Sequence, residues 1–424
     1  MTPTPPDRLE RHALLMLIAS LSGHVGNYVF HSLTGRLLPL ADYGLMIAVL
    51  GALQILHLPL TALNMAVAQH TAAHPKASRA LLAKGSRLLL ILSLLVSLIL
   101  WMAQVPLLTF FSSDRSILLP LAAILIALSL FLTLTGGLLQ GHQKFRWLAA
   151  RSLSLFLLRA LFCLVLLLAV YPAAELALLA HLLAMLATLA VSLTGIRHCI
   201  AEKISGHASR LDLMPVGLQT LKALPALAGF AVLMSADVVL VRRYFSPETS
   251  GRFAQAAVLA RMVLWLPLPI ASAMYPKVIT PGTAARHTLR KAAAYTGALL
   301  LLTLAGFWLT APLLLNLLYG TANPEILSPE ILSPELVSPE LVSWTRHMAL
   351  AMAPLAFTHV LLQYDLAQKR FVASGVLLLM AFGYLAAVAL HHPTIESLIK
   401  ILLLTNSISA IALSSHMMMK KSQT

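Results

Sequence analysis

Charge is what this chain has least of. Asp, Glu, Lys and Arg make up 11% of its 424 residues, where a soluble domain carries about 25%. With 59% hydrophobic residues and a mean hydropathy of +0.85, the chain lacks the polar surface that a soluble core of this size needs. Cysteine is nearly missing as well. Cys163 falls inside an apolar run and Cys199 near a basic loop, which excludes a disulfide framework. No G-x-x-x-x-G-K-[ST], H-E-x-x-H, C-x-x-C or G-x-S-x-G occurs, so P-loop nucleotide binding, metal chemistry and a nucleophile elbow have no support. His391 and His392 stand together without a further ligand. The sequence implies no cofactor, no metal and no enzyme activity.

What is present is a series of apolar runs of about 20 residues, the length that crosses a bilayer. Twelve spans are expected, at 12–34, 43–68, 88–111, 116–140, 148–171, 174–197, 223–243, 251–276, 292–318, 345–367, 371–391 and 395–418. The first run is not expected to be a cleaved signal. The net charge is +15, yet it does not point to nucleic acid, because Lys and Arg gather in short loops after even-numbered spans. The positive-inside rule then places both termini in the cytoplasm. Arg242, Arg243 and Arg252 break this rule in an outer connection. They either snorkel to outer headgroups or line an outward vestibule for an anion.

The two halves read alike. Arg36 leads to Gly44 and, 15 residues on, to Leu58-Pro59-Leu60; Arg243 leads to Gly251 and, 16 residues on, to Leu266-Pro267-Leu268. Leu138-Leu139-Gln140 has its counterpart in Leu361-Leu362-Gln363, with 15 further residues intervening. Those residues are accounted for by 324–343, four copies of one pentapeptide, PEILS twice and PELVS twice. A proline every fifth residue forbids a regular helix, so this tract reads as an outer loop of no functional consequence. Deleting three copies is expected to leave transport unchanged in a cell-based export assay; loss of export would give the tract a role.

The expected organisation is an N-terminal six-helix lobe at 1–197, a cytoplasmic linker at 198–222 and a C-terminal six-helix lobe at 223–424, with 320–343 as an outer loop. A duplicated bundle is a frequent transporter architecture. Charges inside spans are costly and mark function. The candidates are Arg159, Asp237, Arg261 and Asp365, with Arg36 and Arg151 nearer the interfaces. Counting 1.5 Å per residue along antiparallel neighbours puts Asp237 and Arg261 within reach of each other. The pair would serve either as a staple or as a substrate contact. Asn27, Tyr28 and His31, and again Gln54, His57 and Asn64, form polar stripes on the first two spans. These suggest a shared wet cavity. Pro59, Pro267 and Pro269 fall inside spans, and Pro59 and Pro267 at matched places are natural hinges.

Several segments resemble the polysaccharide-transport branch of the multidrug/oligosaccharidyl-lipid/polysaccharide exporter superfamily. They are Leu37-Leu38-Pro39-Leu40-Ala41-Asp42-Tyr43-Gly44, Gly137-Leu138-Leu139-Gln140-Gly141 and Asp237-Val238-Val239-Leu240-Val241-Arg242 with Phe245-Ser246-Pro247-Glu248. Ala256-Ala257-Val258-Leu259-Ala260-Arg261 and Met274-Tyr275-Pro276-Lys277 complete the set. The resemblance implies an all-α polytopic protein with two six-helix lobes in a V around a central cavity. It implies flipping of an undecaprenyl-diphosphate-linked oligosaccharide across a bacterial inner membrane, with membrane lipids and other polysaccharide-assembly membrane proteins as partners. The alternative is a cation-coupled multidrug exporter. On the flippase reading, Arg36, Arg159 and Arg261 bind the diphosphate, Asp237 orients Arg261, and Asn27, Gln54 and Asn64 contact sugar. A membrane enzyme would need a large outer loop with paired catalytic groups, and no such loop is present.

Overall fold

The computed structural model describes residues 6–200, 214–274, 278, 282–320, 338–368 and 372–419. Among them the regular structure is helical: α1 Pro6–Leu37, α2 Leu40–His57, α3 Leu60–Ala73, α4 Ser78–Met102, α5 Gln104–Phe110, α6 Leu118–Gly141, α7 Phe145–Ala169 and α8 Ala174–Ile200. There follow α9 Met214–Tyr244, α10 Pro247–Ala260, α11 Met262–Trp265, α12 Leu268–Met274, α13 Thr283–Tyr319, α14 Pro339–Ala367, α15 Val372–Leu390 and α16 Ile395–Met419. Within the expected linker, 201–213 lies outside the described residues, as does 324–337 of the pentapeptide tract.

Among the described residues ten helices are long and apolar enough to cross a membrane. Twelve spans were expected, and the two remaining ones, 12–34 and 345–367, correspond to α1 and α14. α14 falls short in apolarity because it carries Arg346, His347, His359, Gln363 and Asp365. Most of its length is enclosed by neighbouring helices rather than turned to lipid. α4 is the opposite case. Leu90, Ile91, Leu94, Leu95, Leu98 and Ile99 are all exposed along it, as a lipid-facing helix requires.

The chain forms two compact units. One comprises Met1–Pro39 and Leu60–Leu221, the other Leu40–Pro59 and Lys222–Thr424. In the first unit, Ala66, Leu81, Leu134, Leu138 and Ile196 build a core that also takes in Val216 from the start of α9. Gln219 Nε2 donates to Gln69 Oε1 at 2.7 Å in the same unit. The second unit contains α2, although α2 comes early in the chain. Glycine is the reason. A Cβ on Gly44 would lie 2.7 Å from the Gly251 backbone nitrogen, and one on Gly51 would lie 2.6 Å from Val238 Cγ2. The missing side chains let α2 close onto α10 and α9, and Arg242 Nη1 adds a 3.0 Å bond to the Ala41 carbonyl.

The repeat read from sequence shows in the helix breaks. Helix stops at His57 and resumes at Leu60; in the second half it stops at Trp265 and resumes at Leu268. Pro59 and Pro267 sit in these two gaps, because proline has no N–H to give the preceding turn and its ring crowds that turn's carbonyl.

One expectation for the pentapeptide tract needs correction. Its last copy, Pro339–Ser343, is not loop but the first turn of α14. Ser338 Oγ accepts from the Leu341 N–H at 3.3 Å, Pro339 takes the first helical position, and Glu340 follows. Ser246-Pro247-Glu248 opens α10 in the same way, with Ser246 Oγ accepting from the Thr249 N–H at 3.2 Å. A serine cap, a proline with no N–H to satisfy and an acid at the positive helix end are each favourable there.

Candidate functional site

Each unit buries charged side chains among its helices. In the second unit, Asp237 on α9 is 0% exposed, and its Oδ1 accepts from Arg261 Nη2 at 2.5 Å. Arg261 stands at the junction of α10 and α11, and its Nε also donates to the Met234 carbonyl at 3.2 Å. Three buried tyrosines belong to the same unit. Tyr43 from α2 and Tyr319 from α13 share a 3.2 Å hydroxyl contact, with their rings edge to face at 5.9 Å. Both are within electrostatic reach of Arg261, and Tyr384 from α15 is within reach of both Asp237 and Arg261. Sequence reading quoted Tyr43 only as part of a motif and missed Tyr319 and Tyr384. They come from helices far apart in the chain, and nothing local marks them.

In the first unit, Arg159 on α7 keeps 6% of its surface exposed. Its Nη2 donates to Asn27 Oδ1 at 2.6 Å, and its Cζ lies 4.1 Å from the centre of the Phe30 ring. Its Nε is buried without a hydrogen bond. Two turns earlier on the same helix, Arg151 Nη2 donates to the Leu132 carbonyl at 2.9 Å. The guanidinium lies where a side chain at Gly136 would be, and Asn64 Nδ2 borders the same gap. Asn64 itself donates to the Thr133 carbonyl at 3.1 Å. Among the described residues neither arginine meets a carboxylate. Sequence reading placed Arg151 near the interface and left it out of the site. The pairing with Gly136 joins α7 to α6 and has no signature along the chain.

The other expected residues divide as follows. Arg36 is exposed in the last turn of α1, where the helix dipole favours a cation. Gln54 is half-buried on α2, in the second unit. Asn27 and Asn64 belong to the first unit. The stripe of Gln54, His57 and Asn64 does not exist as one helical face, because the break at Leu58 and Pro59 separates its members. Asp365 acts locally, where its Oδ2 accepts from the Ala373 N–H at 3.0 Å and so caps the start of α15. Arg242 neither snorkels nor lines a vestibule, since it is buried against Ala41, whereas Arg243 and Arg252 are exposed. No group of three or more His, Cys, Asp or Glu able to hold a metal is found among the described residues.

Comparison with known proteins adds two kinds of likeness. A family model described as "Polysaccharide biosynthesis protein" matches residues 10–279. Among solved structures, the inward-facing conformation of a multidrug resistance MATE family transporter of the MOP superfamily is similar at 14% identity. The match covers 97% of this chain and 98% of that one, with a TM-score of 0.71. The outward-facing conformation of such a transporter is similar at 15% identity, over 100% and 97% of the two chains, with a TM-score of 0.67. The lipid II flippase MurJ, in an inward closed conformation, is similar at 11% identity over 94% and 86%, with a TM-score of 0.71. A comparison with curated proteins finds no match.

Proposed function

The chain belongs to the polysaccharide biosynthesis protein family, within the multidrug/oligosaccharidyl-lipid/polysaccharide exporter superfamily, and we propose that it flips an undecaprenyl-diphosphate-linked oligosaccharide from the cytoplasmic to the outer leaflet of a bacterial inner membrane. One observation carries this reading: the guanidinium of Arg159 is held inside a membrane unit and, among the described residues, meets no carboxylate. Removing a cation from water costs several kcal/mol even after relaxation, on the order of 5. A neutral acceptor such as Asn27 Oδ1 offsets only part of that. A polyanionic headgroup would supply the rest, and arginine can grip phosphate oxygens in pairs.

In this scheme Arg159, Arg261 and Arg36 meet the diphosphate. Asp237 holds Arg261 in place, and Asn27, Gln54 and Asn64 offer amides to sugar hydroxyls. The helix breaks at Pro59 and Pro267 act as hinges. The basic loops after even-numbered spans favour cytoplasmic termini, and the partners are the lipid-linked glycan, membrane lipids and other polysaccharide-assembly proteins. The reading is of a carrier, not an enzyme.

The drug-export alternative has one observation in its favour, the buried carboxylate of Asp237, whose Oδ2 lacks a hydrogen bond. Arg261 already neutralises that carboxylate, so a cationic drug or ion would compete with a guanidinium at 2.5 Å. The deciding experiment is a thermal shift of the purified protein with undecaprenyl diphosphate and, separately, with a lipophilic cation. Stabilisation by the diphosphate alone is expected. Stabilisation by the cation alone would overturn the flippase reading in favour of export.

A further inference from the structure

We infer that Arg151, with Asn64 beside it, is a second anion station in the first unit, and that it takes an acidic group on the glycan, so that the transported oligosaccharide is itself negatively charged. The inference rests on the flippase reading and deepens it. Arg151 and Arg159 are eight residues apart on one unbroken helix, α7, which places them about 12 Å apart along its axis and roughly 80° apart around it, Arg151 against α6 and Arg159 against α1. A diphosphate is compact, its two phosphorus atoms sharing one bridging oxygen, and it cannot serve both. If Arg159 holds the diphosphate, the charge of Arg151 is left for something else on the same molecule.

The surroundings of Arg151 favour a ligand over a staple. Among the described residues its guanidinium makes one hydrogen bond, to a neutral carbonyl, that of Leu132, through Nη2. A guanidinium has five N–H donors in a planar fork, so enough remain for a bidentate carboxylate or phosphate. Gly136 leaves the room in which the guanidinium lies, and Asn64 Nδ2 stands 3.0 Å from where a Cβ at Gly136 would be. An amide next to a guanidinium with donors to spare suits an acidic sugar, with the fork on the acid and the amide on a neighbouring hydroxyl. A neutral glycan would leave Arg151 uncompensated throughout transport.

The test uses the full-length protein in lipid nanodiscs and two probes that share one sugar backbone, trigalacturonate and its methyl ester, with undecaprenyl diphosphate measured in parallel. Wild type is expected to bind the acid at least tenfold more tightly than the ester. Arg151→Gln should erase that preference while leaving undecaprenyl diphosphate affinity unchanged. Arg151→Lys should keep part of the preference, since the charge survives and the fork does not. Gly136→Ala puts a methyl group where the guanidinium lies and should weaken the acid severalfold with Arg151 still present, which covers the case that Arg151→Gln does not fold. Equal binding of acid and ester by wild type, or a preference that persists in both Arg151→Gln and Gly136→Ala, overturns the station. Failure of undecaprenyl diphosphate to bind wild type would instead sink the flippase reading, while the acid-to-ester ratio still reports on Arg151.

Discussion

Arg261→Ala is expected to abolish transport and to lower the melting temperature sharply, and Asp237→Ala to do the same. Each single change strands the opposite charge in a site where Asp237 has no solvent exposure. Breaking a buried pair from one side costs about 3–5 kcal/mol, because the remaining ion keeps its desolvation penalty and loses its partner. Loss of transport in either variant therefore cannot separate a staple from a substrate contact. The double variant Asp237→Leu/Arg261→Met separates them. Removing both charges with side chains of similar bulk leaves no buried ion, and such replacements are often neutral or stabilising. The melting temperature should return to within a few degrees of wild type. Transport should stay absent if Arg261 touches the diphosphate. A double variant that is stable and transports normally would make the pair a staple and remove Arg261 from the binding site.

Much of this arrangement was legible along the chain, and the reason is that helices convert residue number into depth. Counting from Gly251 to Arg261 and from Arg243 back to Asp237 puts the two charges within side-chain reach, and the structure holds them at 2.5 Å. Proline is equally legible, since its missing N–H acts wherever it falls, and both Pro59 and Pro267 coincide with helix breaks. Rotation about the helix axis was not legible. Which face of α7 turns inward decides whether Arg151 meets Gly136 or lipid, and that depends on packing against α6. The grouping of Leu40–Pro59 with the later helices was also hidden, because a short loop at Pro39 says nothing of which helices α2 will meet. The helical start at Ser338 could have been read. The tripeptide Ser-Pro-Glu opens α10 at Ser246 and opens α14 at Ser338, and of its copies at Ser328, Ser333 and Ser338 only the last has no further proline five residues after its own.

Gly44 and Gly251 give the second large effect. They are matched positions of the sequence repeat, and in the structure they pack on one another where α2 meets α10. Substitution at either is expected to be costly, because what a new Cβ would meet is backbone: the Gly251 nitrogen and the Ser250 carbonyl carbon for Gly44, the Leu40 carbonyl for Gly251. No rotamer change relieves such a clash, so the helices must part. Forcing a core apart typically costs about 1–3 kcal/mol, and here it would also weaken the Arg242 bond to Ala41. Gly251→Ala should lower the melting temperature, Gly251→Leu should lower it further, and Gly44→Ala should resemble Gly251→Ala. Gly297 in α13 is the control, with nothing within 4 Å of where its Cβ would be. There alanine should leave the protein unchanged or gain about 0.5–1 kcal/mol from the stiffer helix. The double variant Gly44→Ala/Gly251→Ala should cost less than the two singles added together, since the first methyl already opens the gap that the second occupies. Strict additivity would mean that the two glycines do not share a contact and would break the link between the repeat in the sequence and the packing of α2 on α10.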